Sequence, residues 1–128
     1  MKHIAILKQP FYDMVLSGEK TIESRWSKNK IAPFNKVKEG DIILLKQTGK
    51  NVGATAKISK VECYNLTPQI AERIRKTYGN KIGINKFKNW EECANKKYCT
   101  LIWLTEVNRV NEIKVPRSNG AGWIVVKE

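Results

Sequence analysis

Acidic residues, histidine and long apolar runs are all scarce in this sequence, and each scarcity removes a class of function. Asp and Glu number 12 against 24 Lys and Arg, a formal net charge of +12 over 128 residues. Such an imbalance attracts polyanions through the long-range field and through counterion release. A lysine- and asparagine-rich solvated surface accounts for some of the cations but not for the shortage of acids. The only histidine is His3, and Cys63, Cys93 and Cys99 form no Cys-x-x-Cys pair. Without ligand spacing, neither a metal nor another cofactor is expected, only partly buried, reduced thiols and a histidine at a strand start. No apolar run approaches the roughly 20 residues of a membrane span. The longest, Ile-Ile-Leu-Leu at 42–45 and Leu-Ile-Trp-Leu at 101–104, suit buried strands. Lys8 interrupts the apolar opening too early for a signal core of about 7–15 residues, so a cytoplasmic location is expected. With no repeat, linker or low-complexity stretch, residues 1–128 are expected to form one domain.

Periodicity and turn residues predict an α+β, β-dominant chain of about six strands with two or three short helices. Residues 3–7 read as a strand, and Pro10 opens a helix with Phe11, Met14 and Val15 on one face and Gly18 as its stop. Strands follow at 21–26 and 41–47, and a long one at 52–64 pairs back on the second as a hairpin. Thr67 and Pro68 read as N-cap and first residue of a helix carrying Ile70, Ala71, Ile74 and Tyr78, ended by Gly79. Asn89 caps a short helix, residues 98–107 form a strand, and residues 124–126 close the chain. This set suits a small closed or nearly closed mixed barrel.

The segment Gly18-Glu19-Lys20-Thr21-Ile22-Glu23-Ser24-Arg25 carries the chemistry. Alternation puts Thr21, Glu23 and Arg25 on one side of the strand and Ile22, Ser24 and Trp26 on the other. Lys20 stands at the helix–strand junction, where alternation does not fix its direction. Two cations around one carboxylate can clamp a phosphate or read a base edge, with Glu23 as acceptor or general base. The same charges on an edge strand can serve only solubility, and the residues alone leave both readings open. Beyond the segment, Trp26 and Trp123 are the candidates for stacking on bases, while Trp103 suits core packing. Arg117 is a candidate phosphate contact, and Arg73, Arg75 and Lys76 form a solvated helix face.

Gly18-x-Lys20-x-x-Glu23-x-Arg25 resembles the G-x-K-x-x-E-x-R motif of ASCH domains, relatives of the PUA RNA-binding fold. Gln9-Pro10-Phe11 before it, and Lys97-Tyr98-x-Thr100, Val115-Pro116-Arg117 and Gly120-Ala121-Gly122 near the end, resemble the same family. The resemblance implies a PUA-like small mixed β-barrel with a cleft between barrel and first helix. Lys20, Glu23 and Arg25 would line it, with Gln9, Thr21 and Trp26 beside them, and RNA or a modified nucleotide would be the partner. One branch of the family is an amidohydrolase acting on N-acetylated cytidine, which makes Lys20, Thr21 and Glu23 the catalytic candidates were this chain an enzyme. That branch has a threonine where Glu23 stands, and its downstream glutamate finds only Glu72 as a nearby counterpart. The oligomeric state is not readable from these residues.

Overall fold

The computed structural model describes residues 1–127. Strands β1 (Lys2–Leu7), β2 (Ile22–Ser27), β3 (Ile42–Gln47), β4 (Val52–Asn65), β5 (Tyr98–Ile113) and β6 (Trp123–Val126) build one mixed sheet. Its order is β2-β5-β4-β3-β1-β6, so β2 and β6 are its two edges. β1 runs parallel to β3, and the other neighbours are antiparallel. Curled into a half-barrel, the sheet carries helices α1 (Phe11–Ser17), α2 (Pro68–Ile82) and α3 (Trp90–Ala94) around it. That is the β-dominant, PUA-like barrel expected from the sequence.

Local chemistry accounts for the element ends. Gly18 adopts φ +84° after α1, and its N–H donates to Val15 O. Thr67 accepts from Ile70 N–H through its side chain, with Pro68 in the first turn of α2. The predicted stop at Gly79 is corrected: α2 runs one turn further and ends at Gly83, which adopts φ +82°. Ile82 is fully buried and draws that extra turn into the core, so packing overrides the weak helix propensity of Gly79. Likewise β5 extends past residue 107 to Ile113, because β4 offers it a partner along its whole length.

Two apolar clusters fill the two sides of the sheet. One lies inside the curl, with Leu7, Val15, Ile43, Leu45, Ala54, Ala56, Ile58, Ile102 and Trp123. The other, with Ile22, Ile74, Ile82, Cys99 and Leu101, lies under α2. β2 is therefore covered on both faces. Ile22 and Trp26 turn toward α2, and Glu23 pairs in register with Ile102 of the inner cluster. β2 is an edge strand of the sheet, yet Lys20 and Glu23 are buried and do not serve as solubilising surface charges.

Candidate functional site

Burying Glu23 in β2 requires compensation, and the neighbouring residues supply it. Glu23 is 6% exposed and Lys20 2%. Lys20 Nζ stands 3.4 Å from Glu23 Oε1, and Arg25 Nη2 stands 3.1 Å from Glu23 Oε2. Oε1 also accepts from Ser24 N–H at 2.9 Å. Lys20 spends its other protons on Ile22 O at 2.8 Å and Ile82 O at 2.5 Å, and lies 5.5 Å from the Phe11 ring centre. Burial alone would raise the Glu23 carboxyl, but Lys20, Arg25 and the Ser24 N–H outweigh it and hold it below its ordinary 4.5. Burial pulls the Lys20 ammonium below its ordinary 10.5, and Glu23 offsets only part of that.

Arg25 carries the cluster outward. Besides Glu23, it donates from Nη1 to Gly122 O at 3.1 Å and from Nη2 to Ile6 O at 3.0 Å. Three of the five guanidinium N–H groups are thus committed, leaving the Nε–H and one on Nη1 without a partner among the described residues. Its guanidinium lies 5.4 Å from the Trp123 ring centre. Beside it opens a cavity of about 150 Å³, bordered by Arg25, Trp26, Pro33, Thr100, Gly122 and Trp123 among others. Thr100, opposite Arg25 in the β2–β5 register, is 1% exposed and borders the same cavity. A Cβ at Gly122 would stand 2.8 Å from Arg25 Nη1, so a side chain there would displace the guanidinium.

Solved structures resemble this arrangement. The ASCH protein of Zymomonas mobilis superposes with a TM-score of 0.72 and 15% identity, covering 99% of this chain and 88% of that one. A point variant of the same protein superposes at 0.76, with 14% identity over 99% of this chain and 89% of that one. The chain has the ASCH fold. The hypothetical protein PH0355 is similar at a TM-score of 0.56, with 19% identity over 86% of this chain and 100% of that one. At such identities the likeness is one of fold. No protein-family model matches the sequence, and no curated protein matches it either. At the level of residues, the joined Lys20, Glu23 and Arg25 occupy the three charged positions of the ASCH motif.

Within this ASCH fold the expected site residues fall into distinct places. Glu23 and Arg25 share a face as alternation predicted, and Lys20 reaches them from the junction. Thr21 does not join them: it is exposed just before β2, its N–H bonded to Lys81 O and its carbonyl to Leu104 N–H. Gln9 is exposed and accepts from Asp13 N–H, capping α1. Trp26 borders the cavity half-buried, donating from Nε1 to Ser24 Oγ and meeting Trp90 edge-on at 5.4 Å. Trp123 belongs to the core, at 6% exposure, yet turns one side to the cavity. Arg117 is exposed in the loop leading to Gly122. Glu72 lies on α2, paired with Arg75 through Oε2 at 2.9 Å. Among the described residues no His, Cys, Asp and Glu group has the geometry of a metal site. Sequence reasoning missed Thr100 and His3. The Lys97-Tyr98-x-Thr100 pattern flagged the first, whereas nothing along the chain linked His3 to Trp123.

Proposed function

We propose that this domain is a nucleic-acid-binding module that takes RNA, or a modified nucleotide, at the cavity beside Arg25. The observation that carries the reading is Arg25 itself, a guanidinium fixed by three bonds with two donors left over at the edge of the cavity. Such a fork suits a phosphate or the acceptor edge of a base. Trp26 and Trp123 border the cavity with indole surface on which a base can pack. Its volume of about 150 Å³ is below the roughly 300–1,000 Å³ of whole-ligand pockets and suits one base or one phosphate. Exposed Lys28 and Lys30 follow β2, and exposed Arg117 precedes Gly122, so cations flank the opening in the chain on both sides. The net charge of +12 supplies the long-range attraction.

The amidohydrolase reading gains no comparable support. A nucleophilic or basic lysine needs a free lone pair facing substrate. Lys20 instead donates into two backbone carbonyls and faces a carboxylate, out of solvent. Its surroundings favour a buried counter-ion.

A mobility-shift titration with a ten-nucleotide single-stranded RNA tests the binding reading. Arg25→Ala is expected to weaken binding about tenfold, or about 1.4 kcal/mol, while Lys60→Ala on β4 stays within about twofold of the parent. Equal losses for the two variants, both folded by near-ultraviolet circular dichroism, would place the site elsewhere.

A further inference from the structure

The Trp123 indole is held at its edge as well as its face. Its Nε1–H donates to His3 Nδ1 at 3.2 Å, while Arg25 stands over its ring at 5.4 Å. His3 is wholly buried in β1, and its Nε2 lies 2.8 Å from Asp41 Oδ2. An imidazole accepts at Nδ1 only when that nitrogen carries no proton. The proton therefore sits on Nε2 and is donated to the carboxylate, so the two partners together select the tautomer. Asp41 is anchored in turn by Lys38 N–H at 3.0 Å, in the turn that enters β3. Burial alone would raise its carboxyl, but the bonds from His3 and Lys38 N–H hold it below its ordinary 3.8. An Asp–His–Trp chain thus runs from the entry of β3, through β1, to β6.

That chain ends at the cavity, where Trp123 forms part of the wall. A buried indole N–H without an acceptor is costly, so losing His3 would turn the ring in search of another partner. The turned ring would either intrude on the cavity or leave Arg25. We propose that His3 and Asp41 are positioning residues for this site, fixing the plane of the indole against which the ligand packs. The inference rests on the cavity's being the RNA site. His3 touches no ligand and acts only through Trp123.

Two substitutions at one position separate the roles. His3→Gln keeps a polar group near Nε2 for Asp41 but removes the acceptor at Nδ1, whereas His3→Asn keeps an acceptor near Nδ1. In ¹⁵N-labelled protein the Trp123 indole signal is assigned by its loss in Trp123→Phe. That N–H is expected to exchange slowly in the wild type and in His3→Asn, and rapidly in His3→Gln. Binding of the ten-nucleotide RNA is expected to weaken about fivefold in His3→Gln, the effect of one lost hydrogen bond, and to recover in His3→Asn. Wild-type affinity in a His3→Gln protein whose indole is released overturns the positioning role. If Arg25→Ala still weakens binding in that case, the site itself stands; if it does not, the site reading fails first. Should His3→Gln not fold, the wild type decides. A Trp123 indole proton exchanging as fast as exposed amides overturns the proposal, and slow exchange with a shift on adding RNA supports it.

Discussion

At the scale of single residues, the motif works as a graded series from interior to surface. Lys20 and Glu23 are buried, and Arg25 is the member that reaches the cavity. Removing the middle charge strands Lys20, so Glu23→Gln is expected to lower unfolding free energy by about 3–5 kcal/mol in urea titrations. Because the folded Glu23 carboxyl sits below its ordinary 4.5, its contribution is complete above that value. It is lost as pH falls through the lower, folded value. Wild-type stability should therefore decline more steeply than that of Glu23→Gln as pH drops below about 4; parallel declines would contradict the buried ion pair. Gly122→Ala drives a methyl into Arg25 Nη1 and should weaken RNA binding by about tenfold with little change in melting temperature, as the affected groups border the cavity. The sequence showed these charged residues and their alternation. It did not show that Trp123 is clamped by His3, because that contact joins residues at opposite ends of the chain.

Elements were more legible than their arrangement. Caps, glycines and apolar periodicity located six strands and the helices, since those signals act within a few residues. Thr67→Ala should cost about 1 kcal/mol in a thermal or urea melt through loss of the N-cap bond to Ile70 N–H. The end of α2 was misread because Gly83, not Gly79, takes the left-handed conformation once Ile82 is drawn into the core. Gly83→Ala is strained at φ +82° and sets a Cβ 2.9 Å from Met14 Cε, where α1 packs. It should destabilise more than Gly79→Ala, whose helical conformation accommodates a methyl with contacts no closer than 3.9 Å. The parallel pairing of β1 with β3, and the separation of β2 from β6 across the sheet, depend on contacts distant in sequence and were not readable from it.

For the whole molecule, the sheet order gives Arg25 a second role. β2 and β6 are the sheet's edges, and Arg25 on β2 bonds to Gly122 O beside β6 and to Ile6 O on β1. One guanidinium thus spans the open seam of the half-barrel at the place where the cavity lies. The excess charge acts on the same scale. RNA affinity should fall linearly in log–log plots against salt, with a slope near 0.7 per neutralised phosphate for a single strand. The competing location for RNA is the exposed face of α2 with Arg73, Arg75 and Lys76, where Arg75, Lys76 and Lys81 border a more open groove of about 340 Å³. Amide and indole chemical shifts recorded while RNA is titrated into ¹⁵N-labelled protein separate the two. The largest changes are predicted at Arg25, Thr100, Gly122 and the Trp123 indole; changes confined to residues 73–81 would contradict the assignment of the Arg25 cavity as the binding site.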